Sequence, residues 1–319
     1  MGWGLRGRIY RVFERLGDAV DGVLPESAAI AFSAIRRHKR NVGIYPNLLH
    51  PKTFNEKVLH LMVFDRRPIL TTLQDKYASR EYVRSRVGDQ VLPRLYWVTM
   101  NPADIPFDRL PDRFVVKATH GCGFNHLAAD AARLNRSEVT AQCATWLNSN
   151  FYDVNREWAY KHIAPRIMVE EFIDDGTGPN PIRYKLYTFH GSVRAIYVGV
   201  GTPGQSRCAF YDRSWNRVRA TLSRKMQIET DLVRPKHLDD MIRYSEVLGR
   251  GLDFIRVDLY DTPDKVYFGE FTTIPGAGTE AYRPREFDYQ LGASWDHRSG
   301  HGYRIPVSTR ATRIESGSE

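Results

Sequence analysis

Residues 254–260 read FIRVDLY and residues 266–278 read VYFGEFTTIPGAG. Both segments alternate apolar with polar residues and are rich in β-branched and aromatic types, so they predict the two strands of a hairpin. Side chains alternate across a pleat, which puts Ile255, Val257 and Leu259 on one face and Arg256, Asp258 and Tyr260 on the other. Glu270 joins the polar set if the connecting turn holds an odd number of residues. A Thr262-Pro263-Asp264 turn does this, with Asp261 opposite Lys265 and Arg256 opposite Glu270. An arginine and two carboxylates presented together can hold Mg²⁺ against nucleotide phosphates. An amphipathic hairpin with a solvated polar face reads the same way, so the rest of the chain has to decide.

Upstream, residues 113–119 read as a strand carrying Lys117 and leading into His120-Gly121-Cys122-Gly123-Phe124-Asn125. Glycines there let backbone N–H groups approach a phosphate, and a strand lysine can reach its oxygens. The pattern is neither a dinucleotide fingerprint, since the third glycine is missing, nor a P-loop, since no Gly-Lys-Ser/Thr follows. A strand through Ile167, Met168 and Val169 runs into Glu170, Glu171 and Ile173; a strand crossing between subdomains can offer its backbone to an adenine edge. Helices are predicted from Thr53, where Thr53 and Glu56 make a capping box, and over 75–87, 137–150 and 235–248. A hairpin over 184–189 and 193–200 turns at His190-Gly191. Strands, helices and hairpins interspersed in this way indicate an α+β protein.

The bulk numbers exclude several classes. At 319 residues, with 42% hydrophobic and 26% charged residues, the chain is globular and long enough for two or three cores. Three scattered cysteines, Cys122, Cys143 and Cys208, suit neither a disulfide framework nor a zinc site and fit a reducing cytosol. The longest apolar run, around residues 28–35, is far too short to span a bilayer, and no signal-peptide pattern opens the chain. A cytoplasmic protein is expected. The net charge of +9 is partly local: residues 1–40 are basic and carry Leu5, Ile9, Val12, Phe13 and Leu16 at helical spacing. Such a helix either docks on its own domain or lies on an anionic membrane surface. No nucleic-acid-binding motif accompanies the charge.

The order of these features, namely strand lysine, glycine loop, Glu-rich crossover, Arg-x-Asp and a carboxylate before a Pro-Gly turn, resembles the ATP-grasp superfamily. The segments FNEKV (54–58), DKYASREYV (75–83), LPDRFVVKATHGCGFN (110–125), REWAYKHIAPRIMVEEFI (156–173), YKLYTFHG (184–191), FIRVDLY and YFGEFTTIPGAG are similar to its TupA-like branch, associated with cell-surface polysaccharide biosynthesis. The resemblance covers roughly residues 50–292. It implies two α+β subdomains gripping ATP, beside a smaller N-terminal α/β region and a basic helical leader. The chain then divides into a leader (1–50), a region before the grasp (51–112), a lid subdomain (113–173), a metal-binding subdomain (174–295) and a polar tail (296–319).

The resemblance further implies that Lys117 binds phosphate under a mobile lid formed by Gly121, Cys122 and Gly123. Glu170, Glu171 and Ile173 border the adenine, the latter two through backbone atoms. Lys185 contacts phosphate or acceptor, Arg256 stabilises the transferring phosphoryl, and Asp258 with Glu270 holds one or two Mg²⁺ ions. Arg80, Trp158, Tyr160, Lys161 and Arg166 are acceptor candidates, because aromatics stack on sugars and cations hold carboxylates. Two positions depart from the family pattern: Thr272 stands where an asparagine commonly completes the metal site, and Cys122 where related chains show serine. The implied activity is ATP- and Mg²⁺-dependent ligation of a carboxylate, such as a sugar acid, to an amine through an acyl phosphate. Rival readings are a kinase on the same fold, a glycosyltransferase, which the absence of an Asp-x-Asp signature disfavours, and a non-catalytic binding module docked on a membrane by its leader.

Overall fold

The computed structural model describes residues 25–178, 180–201, 207–223 and 225–296. Most of the predicted leader, residues 1–24, and the tail from residue 297 lie outside them. Helix α1 (Glu26–Val42) docks on the fold: Ile30 and Ala34 are buried in an aromatic core, and His38 Nδ1 lies 2.9 Å from the Gly278 carbonyl. Helix α2 (Phe54–Phe64) opens with the expected capping box. The Thr53 hydroxyl accepts the Glu56 N–H (3.2 Å), and the Glu56 carboxylate accepts the Thr53 N–H (3.1 Å), satisfying donors that a helix start leaves open. The single helix expected over 75–87 is instead preceded by α3 (Pro68–Gln74) and begins later, as α4 (Ala78–Val87). The break falls at Asp75, whose carboxylate takes the N–H groups of Tyr77 (2.8 Å) and Ala78 (3.2 Å). Among the described residues no helix is long and apolar enough to cross a membrane.

Strands β1 (Leu95–Thr99), β2 (Phe114–Ala118), β3 (Asn125–Ala128) and β4 (Ile167–Glu171) form an antiparallel sheet in the order β1-β4-β2-β3. Alternation sends Phe114, Val116, Ala118, Ile167 and Val169 under helix α5 (Arg136–Leu147), against Val139, Cys143 and Trp146. The opposite face carries Lys117 and Glu170.

The second sheet takes β5 (Arg183–Phe189), β6 (Ser192–Val200), β7 (Arg207–Tyr211), β8 (Arg217–Val218), β10 (Met226–Gln227), β11 (Phe254–Asp261) and β12 (Val266–Thr272), while β9 (Thr221–Leu222) pairs with β13 (Tyr282–Arg283). Its main path runs β10-β7-β6-β5-β11-β12. The β5–β6 hairpin turns at His190-Gly191 as expected, both at positive φ (49° and 73°), the backbone that a two-residue hairpin demands. One face, with Leu186, Ile196, Ile255, Val257 and Leu259, packs under helix α6 (Leu238–Leu248). The other gathers Tyr187, Phe189, Phe210 and Phe254 around Phe54 and Trp295, with ring centroids 5.0 Å apart for Phe54–Phe254 and 4.8 Å for Phe254–Trp295. Each such ring stabilises the fold by about 1.5–3 kcal/mol on burial. Trp295, the last residue before the expected polar tail, is 1% exposed and belongs to this core.

Candidate functional site

The hairpin of β11 and β12 reaches its predicted faces by an unexpected route. Its turn, residues 262–265, holds four residues, closed by the Thr262 N–H on the Lys265 carbonyl (3.1 Å). An even turn alone would send Glu270 to the apolar face. A bulge restores the parity: Leu259 pairs with Phe268 and Asp258 with Glu270, which leaves Gly269 as the extra residue. A Cβ there would lie 2.9 Å from the Tyr260 ring and 3.0 Å from the Asp258 carbonyl, so the bulge takes glycine. The odd-turn register with Arg256 across from Glu270 is therefore replaced by one in which Arg256 faces Thr272.

Asp258 also pairs with Lys185 on β5, and Lys185 with Tyr197 on β6. Tyr197, Lys185, Asp258 and Glu270 thus share one rung across four strands. The neighbouring rung holds Tyr187, Arg256 and Thr272. Arg256 forks onto Asp258 (Nε–Oδ1 2.7 Å, Nη2–Oδ2 2.8 Å) and donates to the Thr272 hydroxyl at 2.7 Å. Lys185 Nζ stands 3.5 Å from Asp258 Oδ2. Arg256 is 7% and Asp258 3% exposed, which excludes a solvated hairpin face. Burial alone would neutralise both ions, but the fork outweighs it: Arg256 is held well above its ordinary pKa and Asp258 below the usual carboxylate range. Lys185 moves down instead. Burial and repulsion from Arg256 exceed the pull of Asp258, whose charge is already committed to the guanidinium.

Across from the rung, Lys117 donates to Glu170 Oε1, and Arg80 Nη1 lies 3.6 Å from Glu170 Oε2. Burial works against the Lys117 ammonium, yet Glu170, Tyr260 and Glu270 lift its pKa above the ordinary value. The glycine loop between β2 and β3 is tethered at its base: the Lys76 N–H reaches the Thr119 carbonyl (3.1 Å) and the Thr119 N–H the Arg166 carbonyl (2.9 Å). Phe124 stacks on Trp146 at 5.9 Å and 10°. Gly121 has no room for a Cβ, which would meet the Phe124 ring at 2.4 Å, and Gly123 sits at φ +76°. Lys76 Nζ donates to the Gly121 carbonyl and lies 3.8 Å from Glu270 Oε2. It therefore joins the loop to the rung. Lys76 was not singled out by its residue type, although it lies in the quoted segment DKYASREYV. The space between Lys76, Arg80, Lys117, Glu170, Phe268 and Gly269 is about 10 Å³, no more than the roughly 10–15 Å³ that a single water needs. A nucleotide enters only if the Lys117–Glu170 pair parts.

The remaining candidates are placed as follows. The Glu171 N–H, expected to be open to an adenine edge, is bonded to the Arg94 carbonyl at 2.8 Å, and its carboxylate accepts from the Tyr267 hydroxyl at 2.7 Å. Ile173 is buried two residues on. The acceptor set is not brought together. Arg80 lies in the cleft on Glu170, whereas Arg166 stands behind the glycine loop, 3.7 Å from Asp75. Trp158 lies beneath Arg66 (5.5 Å), Lys161 is paired with Glu26 of α1 (2.5 Å), and buried Tyr160 takes a hydrogen bond from Gln74. Trp158 and Lys161 thus pair with residues outside the rung, whereas Tyr160, its phenol raised by burial, Glu157 and the nearby Glu270 and Cys122, lies close to it. Desolvation around its sulfur and the nearby Glu270 push the Cys122 thiol up, which disfavours its thiolate form.

Two carboxylates facing each other across a strand pair are an oxygen-only donor set of the kind Mg²⁺ shares with phosphates and water. Asp258 and Glu270 would hold the ion, and one Arg256–Asp258 bond would open to release an oxygen. The Thr272 hydroxyl oxygen is already accepting from Arg256. Among the described residues no group of three His, Cys, Asp or Glu side chains is gathered to hold a metal, so phosphate oxygens would complete the shell. On the far side of Arg256 lies a second cavity of about 140 Å³, whose lining adds Arg183, Tyr197, Lys225 and Glu280 to the predicted Lys185. Those four escaped the sequence reading because only tertiary packing gathers them: Arg183 and Tyr197 through the β5–β6 pairing, Lys225 and Glu280 from segments outside that hairpin.

The TupA-like ATPgrasp family matches residues 56–296. No curated protein matches the chain. Among solved structures it is similar to D-alanine–D-alanine ligase from Bacillus anthracis complexed with ATP (16% identity, TM-score 0.38, 65% of this chain and 56% of that one). It is also similar to the ATP-grasp ligase PsnB complexed with a phosphomimetic variant of its minimal precursor, Mg and ADP (14%, TM-score 0.39, 71% and 60%). A third is N5-carboxyaminoimidazole ribonucleotide synthetase from Thermus thermophilus (11%, TM-score 0.37, 78% and 52%). The chain spans 52–60% of the length of these three proteins. The family match takes in both sheets, the glycine loop and the Arg256–Asp258–Glu270 hairpin; with its α+β architecture, the chain belongs to the TupA-like ATP-grasp family.

Proposed function

We propose that this protein is an ATP- and Mg²⁺-dependent ligase that joins a carboxylate to an amine through an acyl phosphate, acting on a cell-surface polysaccharide precursor. The observation that carries the reading is the rung of Lys185, Asp258 and Glu270, with the buried Arg256–Asp258 fork at its centre and Lys76 tying it to the glycine loop. Lys117, once released by Glu170, and Lys76 receive phosphate oxygens. Mg²⁺, when bound by Asp258 and Glu270, neutralises phosphate charge. Arg256 and Lys185 face the charge that develops as a substrate carboxylate attacks the γ-phosphorus: the new O–P bond forms and the bond to the β-phosphate oxygen breaks, leaving ADP. A neutral amine then attacks the acyl carbon, phosphate leaves, and the amine proton passes to solvent or phosphate. The glycine loop over Glu270 keeps water from the acyl phosphate. We place the reaction in the cytoplasm, with the basic residues of 1–40 available to an anionic membrane surface.

The test is incubation with Mg-ATP and paired uronic acids and amino acids. Release of ADP and free phosphate in equal amounts with amide formation supports the ligase. Phosphate retained on the product would make the protein a kinase and overturn the reading.

A further inference from the structure

We propose that the 140 Å³ cavity beside Arg256 is the acid-substrate subsite and selects a small carboxylate that carries a second anionic group. The assignment rests on the ligase reading for the fate of the bound acid, not for its binding. The cavity is built on one face of the sheet. Arg183, Lys185 and Tyr187 alternate along β5, Tyr197 and Gly199 oppose them from β6, and Arg256 closes the far side from β11. Its floor is buried, with Tyr187 1%, Tyr197 7% and Arg256 7% exposed, whereas Arg183 and Lys225 sit at the solvent-facing rim. Gly199 shapes the wall, since a Cβ there would meet the Tyr197 ring at 2.9 Å.

The charge pattern names the occupant. Arg183, Lys185, Lys225 and Arg256 line the space against one lining carboxylate, Glu280, with Asp258 behind them. Glu280 is occupied at the wall, taking a hydrogen bond from the Tyr282 hydroxyl at 3.2 Å. Lys185 Nζ stands 3.5 Å from Asp258 Oδ2, a carboxylate already forked by Arg256, so the cations at the floor outnumber the carboxylates that face them. Two anion positions are offered rather than one. The reacting carboxylate belongs on the floor, against Arg256 and Lys185, where the phosphoryl group arrives. Arg183 is two positions along the same face of β5, roughly 7 Å away at the usual strand rise, so a second anion separated by a few carbons or a sugar ring meets the rim. At about 140 Å³ the space is well above the roughly 10–15 Å³ that one water needs, which leaves room for a small acid.

Calorimetry on the nucleotide-free protein tests this with butyrate, glutarate and 3-phosphonopropionate. Both dianions are expected to bind at least about tenfold more tightly than butyrate, the factor one additional charge-assisted pair supplies. Arg183→Gln should cut that advantage to about twofold, and Lys225→Gln should reduce it too; the tighter of the two dianions identifies the second group. Equal binding of butyrate and glutarate, or an unchanged ratio in Arg183→Gln, overturns the proposal. Mg-ATP turnover separates the two readings. Dianion binding without ADP release removes the ligase and keeps the subsite, whereas turnover with a preference for monocarboxylates keeps the ligase and removes the subsite.

Discussion

Glu270→Gln and Asp258→Asn remove one charge each from the same rung, and the structure makes them behave differently. The Glu270 side chain is 35% exposed and its cation, Lys76, stands 3.8 Å away. An exposed pair of that kind contributes at most about 1 kcal/mol, so Glu270→Gln should unfold in urea within about 1 kcal/mol of the parent. Asp258 has a side chain only 4% exposed, satisfies both nitrogens of the Arg256 fork and faces Lys185 as well. Asparagine keeps the shape but leaves a buried guanidinium without its counter-charge, a loss of about 3–5 kcal/mol. Against a total stability of about 5–15 kcal/mol, that is a fifth or more of the fold. Both variants should lose ADP release, Glu270→Gln by at least about a hundredfold, but Glu270→Gln should do so at near-parental stability and Asp258→Asn at a clearly lowered one. Urea titration beside coupled ADP assay reads both quantities. Parental turnover in Glu270→Gln, or parental stability in Asp258→Asn, would refute the reasoning.

A pH effect is expected at Glu157, which is 6% exposed and whose pKa burial pushes up to about 7 from 4.5, against the Asn155 hydrogen bond and Arg37. The folded state then holds the proton more tightly than the unfolded one, so this contribution is full below pH 4.5 and is lost as pH rises through 7; Glu157→Gln should gain on the parent by up to roughly 3 kcal/mol between pH 5 and 8 in urea titrations. Gly269→Ala should lower stability by about 1–3 kcal/mol in thermal melts through the clash with the Asp258 carbonyl and the Tyr260 ring, and a parental melt would count against the bulge. Lys76→Met, which frees the Gly121 carbonyl and Glu270, should raise the KM for ATP by about tenfold or more with a small change in stability. An unchanged KM would remove Lys76 from the site.

What could be read from the chain was whatever depends on neighbours in sequence. The alternation of FIRVDLY, the Thr53–Glu56 capping box and the His190-Gly191 turn are settled within a few residues, and each was found where expected. The Glu270 register was not so readable, because the odd-turn rule assumes an unbroken ladder and the bulge at Gly269 breaks it. The Lys117–Glu170 pair depends on the register of strands about fifty residues apart, and Lys76 on the path of a loop that it only meets in three dimensions. Trp158 and Lys161 carry chemistry suited to an acceptor site, but their partners, Arg66 between α2 and α3 and Glu26 in α1, are distant in sequence. Composition therefore located the strands of the site and missed what crosses between them.

The missing side chain at position 269 has a wider consequence for how this hairpin can vary. A pleated ribbon has only two sides, so gaining or losing a single residue between Tyr260 and Tyr267 has to be absorbed somewhere. If the loop absorbs it, the acidic partners stay together; if the strand slides, Glu270 is carried round to the greasy side. The glycine sets where slippage is permitted, because only there can two residues stand against one without collision. Counting the interval from Asp258 to Glu270 in a related chain thus says nothing about whether the two acids meet, unless the location of such a backbone irregularity is known as well.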